Sequence, residues 1–318
     1  MGDFESGSWG SWHVTNSNAG SIDIESPGFS GLNGGVFHAT PPTTNGVGSV
    51  LMQWDDLHHK VGAVYEFSVD VKLDHTTCSV GFFIYNGPVV YVGNNLFPVA
   101  FGQWTRITGL YLARPTDWAR IGFSCYATAD IHIDNIAVRQ VSSTIYTSAS
   151  TAVGSSIVAN GDFENGASTE YFQTVQGSMT TAVVDGEGKG GSKAYKLTIA
   201  VGTRNANVYM YQQVPTQRGQ VYRFSLDYMF DAQITSFNCQ LSGYMGVHIG
   251  SNRSWDPINQ DAFTDYAFNT ITPNTWKTLS GLVVAPEDNA DIFIALSCSA
   301  PAAEVHFWYD NIALIPVN

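Results

Sequence analysis

Apolar residues along this chain recur at every second position in short runs, and Gly, Pro, Asn and Asp interrupt them. The segments 64–71, 78–85 and 121–126 show the alternation most clearly. A period of two sends one face of a strand into a core and the other outward. No segment sustains the 3.6-residue period of a helix. The pattern predicts an all-β chain with eight or nine short strands per folding unit, arranged as a two-sheet sandwich or jelly roll.

The pattern occurs twice. Tyr65-Glu66-Phe67-Ser68-Val69-Asp70 returns as Tyr222-Arg223-Phe224-Ser225-Leu226-Asp227, and the same offset carries Leu57 onto Val214 and Gly62 onto Gly219. Trp104-Thr105 returns as Trp276-Lys277, Gly109-Leu110 as Gly281-Leu282, and Asp134-Asn135-Ile136-Ala137 as Asp310-Asn311-Ile312-Ala313. Gly2-Asp3-Phe4-Glu5 matches Gly161-Asp162-Phe163-Glu164, with Met1 in the place of Asn160, so Met1 reads as a start that replaces a trimmed leader. The matches keep their order. Two tandem β-sandwich domains are expected, at 1–141 and 157–318, with the Ser/Thr-rich stretch 142–156 as linker.

Charge narrows the partners. The chain carries 27 acidic against 14 basic residues, a net −13, and only 13% of its residues are charged. Such a chain repels phosphate backbones and anionic lipid, so nucleic acid and membrane surfaces are not expected partners. No apolar run approaches the roughly 18 residues of a membrane span.

Each copy holds two cysteines at matching places, Cys78 and Cys125, then Cys239 and Cys298. No C-x-x-C pair suggests a metal site. Disulfides Cys78–Cys125 and Cys239–Cys298 between neighbouring strands are expected; the alternative is two buried free thiols per copy. Pairing points to an oxidising compartment, hence a secreted, extracellular or cell-wall-associated protein.

The opening Gly-Asp-Phe-Glu, the central Gly-x-x-Tyr-x-Phe-Ser-x-Asp, the Trp-Thr or Trp-Lys strand and the closing Asp-Asn-Ile-Ala resemble the jelly-roll carbohydrate-binding modules of families four, nine and twenty-two. The resemblance spans the chain apart from the linker. It implies non-catalytic binding of a polysaccharide or glycan chain by tandem modules. It also implies a structural calcium ion at the opening Glu and closing Asp: Glu5 with Asp134, and Glu164 with Asp310. Hard carboxylate oxygens from the two ends of a domain suit that ion. The alternative is acids that cap turns.

The cysteines also phase the strands. With Cys78 inward, Ser79, Gly81, Phe83 and Tyr85 point outward; with Cys239 inward, so do Gln240, Ser242 and Tyr244. Counting back from Leu57 and Val214 puts Met52, Trp54 and Asp56 outside in the first copy, and Tyr209, Tyr211 and Gln213 in the second. From Cys125 the outward neighbours are Ser124 and Tyr126; from Cys298 they are Ser297, Ala295 and Phe293. Aromatic rings beside small polar groups answer the apolar faces and hydroxyl rim of a sugar. The expected ligand positions are therefore Trp54, Phe83, Tyr85, Tyr126, Tyr209, Tyr211, Gln213 and Tyr244. The alternative is a second small core under long loops. The acids that recur sit in the repeated motifs, away from this face, and no nucleophile elbow, zinc helix or phosphate loop is present. The chain reads as a non-enzyme, with extracellular adhesion to protein partners as the competing function.

Overall fold

Among the described residues, the alternating runs fold as strands. The computed structural model describes residues 4–29, 31, 33–41, 46–55, 59–84, 89–93, 101–113, 119–147, 149–166, 171–203, 206–231, 239–246, 261–265, 272–298 and 303–318. In the first copy they form β1 (Trp12–Asn18), β2 (Gly20–Glu25), β3 (Gly34–Ala39), β4 (Gly48–Trp54), β5 (Val64–Leu73), β6 (Cys78–Ile84), β7 (Val89–Gly93), β8 (Thr105–Leu112), β9 (Ala119–Cys125) and β10 (Ala129–Gln140). The second copy repeats them as β11 (Phe172–Gln176), β12 (Met179–Val184), β13 (Ala194–Ile199), β14 (Ala206–Gln213), β15 (Val221–Phe230), β16 (Cys239–Gly246), β17 (Asp261–Asp265), β18 (Lys277–Val284), β19 (Asp291–Cys298) and β20 (Val305–Pro316). Ten strands per copy among the described residues exceed the eight or nine expected. The surplus lies in polar strands such as β1, whose last six residues are exposed and whose alternation is therefore weak.

Among the described residues, each copy forms two antiparallel five-stranded sheets. Their orders are β1-β4-β9-β6-β7 and β2-β3-β10-β5-β8, repeated as β11-β14-β19-β16-β17 and β12-β13-β20-β15-β18. The core lies between the two sheets of each copy. Phe37 of β3 stacks on Phe123 of β9 across the gap at 5.7 Å, and Phe67, Ile131 and Ile133 are fully buried beside them. Phe224, Phe230, Phe307 and Tyr309 fill the second copy's core.

Both expected disulfides form. Cys78 faces Cys125 directly across β6 and β9, and Cys239 faces Cys298 across β16 and β19, with S–S distances of 2.07 and 2.01 Å. The chain divides into two compact units, with a boundary between Tyr146 and Thr147. The expected linker 142–156 is hydrogen-bonded into both units. Tyr146 N–H donates to Gly62 O at 2.7 Å on one side, and Val153 N–H to Pro316 O at 2.8 Å on the other. Ala152 and Val317 add an isolated bridge.

The repeated motifs turn out to be parts of one local structure. Asp134 and Asp310 lie at a break in strand register, where Asn135 and Asn311 take a positive φ of 50°. Asn tolerates that left-handed conformation better than most residues. Its side chain then donates to the central motif's Asp: Asn135 Nδ2 to Asp70 at 2.9 Å and Asn311 Nδ2 to Asp227 at 3.0 Å. Ile312 N–H donates to Gly161 O at 2.8 Å, and a Cβ on Gly161 would stand 2.0 Å from Ile312 O. Glycine at that position is thus required by close backbone approach.

Candidate functional site

The outer face of the cysteine-bearing sheet is built by register. In the second copy Tyr211 faces Phe293, Phe293 faces Tyr244, and Phe172 faces Tyr211, so four aromatic positions form one row across β11, β14, β19 and β16. The Tyr211 and Phe293 rings lie 5.4 Å apart. The next row holds Thr174, Tyr209, Ala295 and Ser242, and the one after holds Asn207 and Ser297, joined by a 2.6 Å hydrogen bond. Val208, Met210 and Gln212 alternate with these and are buried on the core side. Tyr209 and Tyr211 are half-exposed, whereas Phe293, Ala295 and Ser242 are buried at 7, 8 and 1%. The floor of this face is therefore packed, and the tyrosines of β14 stand at its accessible side. Gln213 ends that strand exposed, its amide donating to Asn289 O at 3.1 Å.

The first copy corrects one expectation. Met52 is fully buried, and Trp54 shares its side of β4, packed against the core with its ring 5.8 Å from Trp12. The outward residues of β4 are Ser49, Leu51 and Gln53. Strand pairing explains the error. Gly48 pairs with Cys125 as Ala206 pairs with Cys298, so β4 and β14 are displaced by one residue relative to the Tyr65 and Tyr222 motifs that follow them. A slip of one residue moves every side chain to the other face. Trp54 thus matches Gln212, while Gln53 matches Tyr211.

With that register, the first copy's face has different chemistry. Where the second copy has Tyr211, Phe293 and Tyr244, the first has Gln53, Arg120 and Phe83. Arg120 Nε donates to Gln53 Oε1 at 2.6 Å, and Gln53 Nε2 donates to Asp55. Beside them lies an open trough of about 210 Å³ lined by Asn16, Ser49, Leu51, Ser79, Gly81, Gly122 and Ser124. Two glycines at the centre give it depth, and three serines supply hydroxyls. Continuing the count from Cys125 past Ser124 would have found Gly122 and Arg120. Phe83 falls at an outward register position, Tyr85 lies outside the described residues, and Tyr126 is 60% exposed just past β9. His59 is half-buried between Tyr65 and Tyr111, with its Nε2 2.6 Å from Tyr111 Oη.

The four proposed metal residues recur as matched pairs around matched loops. Asp134 accepts from Phe29 N–H at 2.8 Å and Glu5 from Asn33 N–H at 3.2 Å. Asp310 accepts from Lys189 N–H at 2.8 Å and Ser192 Oγ at 3.0 Å, and Glu164 from Lys193 N–H at 2.8 Å. Asp134 and Asp310 are fully buried. Each stands directly across from a second acid, Asp70 or Asp227, and a cation answers that partner: Arg106 on Asp70 at 2.5 Å, Lys189 on Asp227 at 3.0 Å. Burial raises the pKa of Asp310, three hydrogen bonds pull it back, and the facing Asp227 adds to the rise.

Among solved structures, the chain is similar to the tandem family 22 carbohydrate-binding modules of Paenibacillus barcinonensis Xyn10C, at 16% identity over 99% of this chain and 96% of that one, with a TM-score of 0.35. TmCBM61 in complex with β-1,4-galactotriose is 15% identical over 51% of this chain and 99% of its own, with a TM-score of 0.37. A family 4 module is 15% identical over 51% and 99%, with a TM-score of 0.32. No curated protein matches the chain. Residues 155–300 match the carbohydrate-binding domain family of groups 4 and 9, so the second copy carries the signature of the family that the repeated motifs resemble.

Proposed function

We propose that both copies bind polysaccharide without catalysis, each through the outer face of its cysteine-bearing sheet. The observation that carries this is the aromatic row of the second copy, with Tyr211 within it and Tyr209 in the next row both half-exposed. An extended sugar chain offers flat C–H faces to such rings and hydroxyls to Asn207, Ser297 and Gln213. In the first copy, the serine-lined trough and the Arg120–Gln53 pair make hydrogen bonding the main means of holding a chain. The two copies therefore select different glycans. Two disulfides support a secreted protein.

Tyr211→Ala should weaken binding of the second copy's glycan by at least ~1 kcal/mol, about fivefold, because truncating a contact aromatic typically costs that much. Tyr209→Ala should follow it. Affinity electrophoresis against a panel of soluble polysaccharides, then calorimetry on the best binder, measures both. A core change such as Phe224→Ala separates lost binding from lost folding. A panel without any binder, or affinity that survives both tyrosine changes in a folded chain, would sink the proposal.

We further propose that calcium binds at Glu164 and Asp310, and at Glu5 and Asp134. The donors fit the ion: hard carboxylate oxygens brought by two chain segments to one loop, 188–193 or 28–33. When bound, the ion neutralises buried negative charge and cross-links the opening motif to the closing strand. Chelation should then lower the melting temperature, since at a calcium concentration of 100 Kd the folded state gains about 2.7 kcal/mol. Glu164→Ala should remove the second copy's share of that shift. Melting that ignores both chelation and added calcium would count against the ion.

A further inference from the structure

We propose that Asp74, Asp130 and His132 form a binding site for a divalent transition-metal ion on the first copy. Among the described residues they are the only three metal-ligating side chains whose donor atoms lie within 4.8 Å of one another. The strand period creates the arrangement. Asp130 and His132 alternate along β10 with the buried Ile131 and Ile133, so both project from the outer side of the sheet. Asp74, just past β5, is held alongside by its N–H, which donates to Asp130 O at 3.2 Å. His132 Nε2 lies 3.0 Å from Asp74 Oδ2.

These separations suit the chemistry. Metal–ligand bonds of about 2.0–2.2 Å put neighbouring donors of a tetrahedral ion roughly 3.3 Å apart, so small side-chain rotations close the site. One imidazole and two carboxylates favour a borderline ion such as Zn²⁺ or Co²⁺ over calcium, which takes oxygen. His38 supports the site from the next strand. It stands opposite Asp130, with Nδ1 2.9 Å from Asp130 Oδ1 and Nε2 3.0 Å from Glu25 Oε1, which fixes the carboxylate's orientation. The Trp104 ring, 6.2 Å from the His132 ring, flanks the histidine. The Lys72 ammonium, 3.8 Å from Asp74 Oδ1, is the cation a metal ion would displace.

The second copy supplies an internal contrast. Asp231 N–H donates to His306 O at 3.2 Å as Asp74 does to Asp130, which makes Trp308 the counterpart of His132. Trp308 cannot ligate; its Nε1–H donates to Glu187 at 2.7 Å and Lys196 lies over its ring at 4.9 Å. The site therefore belongs to the first copy alone.

The test uses the full untagged chain in calcium-containing buffer. Calorimetric titration with zinc chloride should show one ion bound per chain, and Co²⁺ should give a visible absorption band that zinc abolishes. His132→Ala and Asp74→Asn should each weaken zinc binding at least tenfold, while His306→Ala should leave it unchanged. Melting in the absence of zinc establishes that each variant is folded; Asp74, exposed past a strand end, provides the variant least disturbing to the fold. Zinc binding that persists in both variants, or that is lost in His306→Ala, or absent from the native chain, would overturn the proposal.

Discussion

Replacing Cys239 and Cys298 together by alanine is expected to destabilise the second copy by about 4 kcal/mol. The bridge closes a loop across a separation of 59 residues. In the chain-entropy description, that cross-link removes about 4 kcal/mol of conformational freedom from the unfolded chain. The sulfurs also fill space: Cys239 and Cys298 belong to the buried cluster around Leu241 and Leu296, so their removal leaves a cavity. With total domain stability of roughly 5–15 kcal/mol, the loss is a large fraction of what holds this copy folded. Urea denaturation should show the effect as an earlier unfolding transition. Full reduction of the native chain should move the first copy as well, because Cys78–Cys125 closes a similar loop of 47 residues. Midpoints that do not move on reduction would show that the strands hold without their staples.

The cysteines were also what made the sheet legible. A disulfide between directly opposed residues fixes both the neighbours and the inward face of two strands at once. The outward positions of β16 and β19 followed from Cys239 and Cys298 by counting twos, and the structure places Phe293, Ala295 and Ser242 where that count puts them. Counting across a loop was less secure. Val214 phased β14 correctly, because the second copy's loop keeps the parity of its strand, while the same count from Leu57 reversed β4. No residue within β4 carries a signal strong enough to prevent this: Leu51 and Met52 are adjacent and both apolar, and either could face the core. Cross-strand partners decide the matter, and those belong to the fold and not to the local pattern. The counts from Cys78 and Cys125 did put Ser79, Gly81 and Ser124 outside, but the trough they line is completed by Ser49 and Leu51 of β4, the strand whose phase was reversed. Glycine and serine announce turns in a sequence, yet Gly81, Gly122, Ser79 and Ser124 lie in mid-strand, where their smallness shapes a surface. The motif Asp-Asn-Ile-Ala was recognisable as a signature, but its physical content, a bulge with a left-handed Asn that reaches a second acid, needed the register.

That bulge carries the other large effect. Asp310→Ala should cost the second copy about 3 kcal/mol, the scale of breaking a buried charged network. The carboxylate is fully buried and accepts from Lys189 N–H, Ser192 Oγ and Asn311 N–H, all of which the variant leaves without that acceptor. Asp310→Asn preserves the shape but turns one acceptor into a donor facing N–H or O–H groups, so a smaller loss of roughly 1–2 kcal/mol is expected. The pH dependence of the stability gap between the native chain and Asp310→Asn, measured in chelator, tests the electrostatics. Burial, and to a lesser degree Asp227, raises the native pKa of Asp310 above its ordinary value. In the window between the unfolded value, about 3.9, and the raised folded one, the folded chain binds more protons than the unfolded chain. Stability therefore falls as pH rises through that window. The amide variant lacks this titration, and other groups largely cancel in the difference. The native advantage over Asp310→Asn should be greatest below about pH 4 and should narrow as the carboxylate ionises. An advantage that instead grows with pH would show that the three hydrogen bonds stabilise the anion by more than burial and Asp227 cost it.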